Sequence, residues 1–140
     1  MKNMKKIGRI TVLGLLGIGL FSSAHLASAS NDNVYFAFTI KPKYANSYSG
    51  ERYRQTENPS NKWKVNFTSS GEGKGTVTTF WLDKKGTPVS STHDVKQGSG
   101  AHYYNAISAA NKSNVRLGAE NNNYSTNGYP ISGYWDEETD

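Results

Sequence analysis

His93 and His102 are the two histidines that follow the first thirty residues, and each stands near groups that could make it a base. His93 precedes Asp94, and Ser90, Ser91 and Ser99 supply hydroxyls close by in the chain. These are the residue types of nucleophilic hydrolysis. None of the serines lies in the G-x-S-x-G turn that exposes such a nucleophile. A metal site would gather several His, Cys or carboxylate ligands, with helical pairs three or four residues apart. His93 and His102 are nine apart across a Gly-Ser-Gly turn, so no catalytic or metal-ligating residue is assigned, and no cofactor is expected. Gly71-Glu72-Gly73-Lys74-Gly75-Thr76 lacks the spacing of a phosphate loop and runs into a strand, where no helix N-terminus gathers amides. The acids Glu51, Glu57, Glu72 and Asp83 stand in or beside turns, with nothing to mark two of them as the spaced pair of a glycosidase. Asn121-Asn122-Asn123, after Glu120, is rich in the oxygens that calcium prefers, but Asn is equally a turn residue. Asp136-Glu137-Glu138 with Asp140 reads as a solvated, frayed acidic tail.

Aromatic side chains are the remaining chemistry. Tyr and Trp on a sheet face or in loops can stack on sugars or anchor a protein. Trp63, Trp81 and Trp135 are expected in the core. Tyr44, Tyr48, Tyr124 and Tyr129 lie in turn-rich stretches and are the candidate contact residues.

The elements that must carry these residues read as β. Val34, Phe36, Phe38 and Ile40 alternate along one segment, and Trp63, Val65 and Phe67 along another, with Lys62, Lys64, Asn66 and Thr68 facing out. The glycine-rich stretch at Gly71–Gly75 suggests that Lys62–Leu82 is an antiparallel hairpin. Further strands are expected at Glu51–Thr56, Val89–Val95, Asn114–Glu120 and Ile131–Trp135. Short strands between turn clusters point to an all-β, small antiparallel β-sandwich. Ala101–Asn111 departs from this pattern: Tyr103, Ala106, Ile107 and Ala110 fall on one helical face, so a short helix is expected over 101–111, with a strand as the alternative.

The first residues carry an address. Lys2, Lys5, Lys6 and Arg9 precede the apolar run Ile10–Phe21, and Ala27-Ser28-Ala29 follows. This is the layout of a secretory signal peptide, with cleavage expected after Ala29 and a single domain over 30–140. The apolar run is shorter than the ~20 residues that span a bilayer, so no stable membrane span is expected after processing. Four of the sixteen basic residues belong to this segment, leaving twelve against eleven acids and a formal charge of +1. Their scatter argues against a nucleic-acid partner. There is no cysteine, which removes disulfides and thiolate chemistry.

Several blocks together carry a resemblance: Asn61–Phe67 running into Gly71–Gly75, then Val95–Gly100, Ala119–Tyr124 and Ser132–Glu138. In this order the chain resembles a family of small secreted Gram-positive proteins of unknown function. The likeness implies secretion and one small domain, and supplies no catalytic residue. A looser similarity in size, export and lack of cysteine links it to the lactococcin 972 class of bacteriocins. The expected role is a secreted non-enzymatic binding protein at or outside the cell envelope, with a cell-wall polymer or envelope protein as partner. A bacteriocin-like toxin and a small secreted hydrolase using His93 or His102 are the alternatives.

Overall fold

Side chains that alternate in polarity along an extended chain can bury one face only, and two such faces closing on each other make this fold. The structure, a computed structural model, describes residues 31–140. The signal segment and the cut after Ala29 lie outside the described residues. The strands are β1 (Val34–Ile40), β2 (Ser47–Arg54), β3 (Trp63–Ser70), β4 (Val77–Lys84), β5 (Thr87–Pro88), β6 (His93–Lys96), β7 (Ala101–Tyr104), β8 (Ser113–Asn121) and β9 (Tyr129–Asp136), with one 3-10 turn at Ser108–Ala110. Sheet one runs β1-β9-β3-β7. Sheet two runs β2-β8-β4, and both β5 and β6 pair with the far side of β4. Every pairing is antiparallel. The chain is the expected all-β antiparallel sandwich.

The core lies between the sheets. Trp63, Val65 and Phe67 point inward from β3, as their alternation requires, and meet Phe80 and Leu82 of β4. Phe67 and Phe80 touch edge to face at 5.4 Å between ring centres. Full burial of such side chains contributes roughly 1.5–3 kcal/mol each. Trp135 joins this core, whereas Trp81, also buried, lies outside it. It points away from its neighbours Phe80 and Leu82 and lies on the outer face of sheet two over Gly118.

Five further sequence expectations need correction. Lys62–Leu82 is not a hairpin. β3 and β4 belong to different sheets, and the glycine-rich turn crosses between them, with Gly73 and Gly75 at positive φ. Alternation says which side chains are buried, and facing strands bury the same ones as paired strands. The real hairpin joins β4 to β5 through Lys85 and Gly86, both at positive φ.

The helix over 101–111 does not form. Ala101–Tyr104 pairs with β3, Ala106 N–H donates to Pro59, and Ile107 N–H donates to Val89. A free ladder on β3 outcompetes a helix too short to be stable alone. The expected strand Val89–Val95 is likewise divided, with only its last part in β6.

Lys64 does not face water. Its ammonium is covered by the side chains of Asn31 and Asn33.

The acidic end is not a frayed tail either: Asp136, Glu137 and Glu138 are all buried. Register places Arg52 opposite the core residue Val115, so Arg52 and Arg54 on β2 point toward the facing sheet. Arg52 pairs with Glu137. Arg54, with no exposed surface, donates to the carbonyls of Glu137, Asn58 and Asn61. The Glu138 carboxylate accepts from the amides of Gln55 and Thr56 at 2.9 and 2.8 Å. The Asn61 side-chain oxygen accepts from Thr139 N–H and Asp140 N–H. Asp136 accepts from the Asp32 amide, tying the first described residues to the last strand.

The two long sides of the sandwich differ. On one, Tyr104 of β7 stacks on His93 of β6 with ring centres 3.6 Å apart and planes 5° from parallel, while Trp63 packs 5.2 Å from Tyr104. This stack closes the seam. On the other, β1 and β2 leave a cleft of about 390 Å³ floored by Phe36, Phe38 and Trp135.

Gly118→Ala is expected to destabilise the fold by about 1–3 kcal/mol, since overpacking forces a shift. A Cβ there would stand 2.4 Å from the Trp81 ring. Gly50→Ala, which opens into free space, serves as the neutral control. Urea unfolding followed by tryptophan fluorescence reads both.

Burial pushes the Asp136 carboxyl up to about 7, with the charge of Glu137 adding to it and hydrogen bonds from the Glu138 and Asp32 amides and the Lys64 charge opposing. The folded state therefore holds this proton more tightly than the unfolded chain. Its contribution to stability is full below the unfolded value near 3.8 and is lost as pH rises through about 7. His93, held low chiefly by burial, acts with the opposite sign. Subtracting the urea midpoints of Asp136→Asn from those of the wild type between about pH 4 and pH 8 cancels His93. The difference is expected to fall with rising pH, and a flat difference contradicts the assignment.

Candidate functional site

The four tyrosines picked out by sequence separate into two groups. Tyr44 and Tyr124 come together. Pro42 accepts from the amide of Ala45 at 3.2 Å, closing a turn whose central residues Lys43 and Tyr44 have φ of 59° and 58°. Two consecutive left-handed residues form the kind of turn that normally takes Asn-Gly. Lysine and tyrosine hold it here at a cost of order 1–3 kcal/mol each. The Lys43 amide donates to Ser125 of the β8–β9 loop at 2.8 Å, and this bond fixes the two loops side by side. The rings of Tyr44 and Tyr124 then lie 5.5 Å apart, 46% and 61% exposed.

Tyr48 and Tyr129 do not join them. Tyr48 is half-buried on the outer face of sheet two, where its ring meets Trp81 edge-on and the Arg116 guanidinium sits 3.6 Å above its centre. Tyr129 is only 5% exposed. Its hydroxyl shares a hydrogen bond with Thr78 at 3.1 Å and donates to Asn121, and burial pushes the phenol up. Tyr129 is a core residue with a satisfied hydroxyl, not part of a contact surface. Its position in β9 has the same parity as Ile131 and Trp135, which is the signal that could have placed it inside.

The histidines are held by packing and by a turn. His93 lies flat on Tyr104, and burial keeps its imidazole on the neutral side, opposed by Asp94. Asp94 itself accepts from the Thr79 hydroxyl at 2.6 Å. His102 Nε2 and Ser99 Oγ are 2.8 Å apart. The Ser99 hydroxyl donates to the Lys96 carbonyl at 2.6 Å, which leaves the imidazole N–H as the donor to Ser99. A base would have to accept there.

Two of the four acids considered for hydrolysis are also engaged. Asp83 accepts from Arg116 and from the Gly86 amide, both at 2.8 Å, and Glu57 lies 3.7 Å from Lys112. The ladder brings two pairs of acids into one row, Glu51 and Asp83 on either side of Arg116 and Asp94 and Glu120 on either side of Thr79. Burial raises the Glu120 carboxyl, and the charge of Asp94 raises it further. This pairing across β4 was invisible without the strand order. The Asn121 oxygen, in the stretch weighed as a turn against a calcium loop, accepts from Tyr129 and from the Asn123 amide, which makes the segment a turn braced from within. Among the described residues, no group of three or more His, Asp or Glu is placed to hold a metal ion. Among the same residues, no helix is long and apolar enough to cross a membrane.

A second exposed aromatic pair was missed. Tyr35 and Tyr134 are paired across β1 and β9 on the outer face of sheet one, with ring centres 5.8 Å apart. Once Val34, Phe36, Phe38 and Ile40 face inward, period two already sends Tyr35 outward.

Comparison with known proteins adds a family and no activity. No curated protein matches the chain, and no solved structure matches it. The model of a family described as protein of unknown function (DUF2712) matches residues 22–139, and the chain belongs to that family.

Proposed function

We propose that this chain is a secreted, non-enzymatic binding protein that acts at or outside a Gram-positive cell envelope, with Tyr44 and Tyr124 as its contact surface. The observation that carries this reading is the left-handed Lys43-Tyr44 turn. Strained backbone at non-glycine residues persists where the surrounding structure enforces it, and such sites gather at ligand contacts. Here the strain holds an exposed ring beside a second exposed ring on a sandwich that is braced on both sides of the loop. Two pre-positioned aromatic faces lose little side-chain freedom when a sugar ring or an apolar side chain stacks on them. The basic, apolar, A-x-A order of the first twenty-nine residues supports the export half of the reading. An envelope polymer or an envelope protein is the partner that fits this location.

Protein spanning residues 31–140, which contains both sheets and the whole core, is incubated with purified insoluble cell walls and separately with solubilised envelope proteins. The wild type is expected to be retained on one of the two. Tyr44→Ala with Tyr124→Ala is expected to weaken that retention by about tenfold or more, or roughly 1.4 kcal/mol. Tyr103→Ala, another exposed tyrosine, leaves it unchanged. Failure of the wild type to bind either preparation, or equal binding by the double variant, overturns the reading.

A further inference from the structure

Four strand edges bound the two sheets, and three of them are guarded. β7 is only four residues long, and its seam is closed by the stack of Tyr104 on His93. β5 and β6 divide their edge into short pieces. β2 is interrupted by a register shift between Tyr48 and Glu51 and carries Glu51, Arg52 and Arg54. Short edges, bulges and charges are the devices by which soluble proteins stop strands from pairing with other chains. β1 has none of them. Val34-Tyr35-Phe36-Ala37-Phe38-Thr39-Ile40 pairs with β9 in unbroken register over seven residues, without charge, proline or glycine.

The order of residues in β1 is close to a palindrome about Ala37. An antiparallel copy turned about a two-fold axis through Ala37 sets Val34 against Ile40, Tyr35 against Thr39 and Phe36 against Phe38. Apolar side chains meet apolar side chains on the inner face. On the outer face the aromatic Tyr35 meets the β-branched Thr39, a kind of pair that stabilises a ladder. All of these pairs join residues of the same parity, so the backbone groups that point away from β9 face each other in both copies. Val34 and Phe38 are only partly buried, and both border the cleft between β1 and β2. A second strand laid along β1 covers that apolar surface. Because the strand carries no charge, two copies meet with no like-charge repulsion.

We infer that two copies of this chain associate through β1, antiparallel about Ala37, so that their four-stranded sheets join into one of eight strands. A standard interface engages roughly 20–30 residues a side. A seven-residue ladder with its flanking cleft engages fewer, so the dimer is reversible and depends on concentration. The association is independent of the tyrosine surface proposed above, which lies on other loops.

Sedimentation velocity on residues 31–140 tests it across a dilution series from high to low micromolar. The wild type is expected to move from twice the monomer mass toward the monomer mass on dilution. Ala37 is exposed, so charge placed there leaves the fold intact, as far-ultraviolet circular dichroism verifies. Ala37→Lys alone and Ala37→Asp alone each set like charges face to face on the axis and are expected to be monomeric. An equal mixture of the two is expected to restore the dimer, with one copy of each. Tyr44→Ala with Tyr124→Ala is expected to dimerise as the wild type does. A wild type that stays monomeric throughout, a dimer that survives Ala37→Lys, or a mixture that stays monomeric overturns the inference.

Discussion

A guanidinium with no exposed surface holds the β2–β3 connection to the C-terminal residues. Arg54 sits at the end of β2, facing the opposite sheet, and donates to the carbonyls of Asn58, Asn61 and Glu137. Burial acts against its charge, while Glu138, Glu137 and Asp136 favour it. A buried charge without such partners would cost several kcal/mol. The β2–β3 connection and the C-terminal residues therefore have one low-energy arrangement, in which each supplies what the other lacks. Glu138 then caps two free amides of that connection, and Asn61 does the same for the chain end. In a protein without disulfides, this polar lock does the work of a covalent staple at one end of the sandwich.

The rest of the architecture follows from how the sheet edges meet. Where β6 faces β7, parallel rings close the gap and the chain spends its histidine on packing. Where β1 faces β2, the gap remains a cleft. The sandwich thus has a finished side and an open side. The exposed Tyr35–Tyr134 pair lies on the sheet whose β1 edge is open, while the Tyr44–Tyr124 pair sits where the β1–β2 loop meets the β8–β9 loop.

What could be read in the sequence was the local part of this. The period-two pattern of Val34–Ile40 and Trp63–Phe67 located two strands and the faces they bury, because side-chain alternation is a property of a few neighbouring residues. Strand pairing depends on residues far apart. Nothing near Gly71–Gly75 says whether the chain turns within a sheet or crosses between sheets. The helical spacing of Ala101–Asn111 was real, but its competitor was the free ladder of β3, about forty residues earlier. Asp136–Glu138 looked solvated because the groups that hold them, the Asp32 amide, Arg52, Arg54 and the amides of Gln55 and Thr56, lie more than eighty residues away. For the candidate site, exposed loop tyrosines were legible as a class. Their division into a joined pair and a buried member needed the left-handed turn at Lys43-Tyr44, which no glycine or asparagine announces.

Among the described residues, β1 finds its ladder partner only in β9, the last of their strands. Sheet one also needs β9 between β1 and β3, so neither early strand can complete its pairing from the residues that precede β9. Without β9 and the residues after it, the first sheet is unfinished and Arg54 lacks the carbonyl of Glu137. Completing sheet one therefore means inserting β9 between two strands that both precede it in sequence. Such distant closure is slow by nature. Until that insertion occurs, β1 and β3 have no strand between them to join them into one sheet.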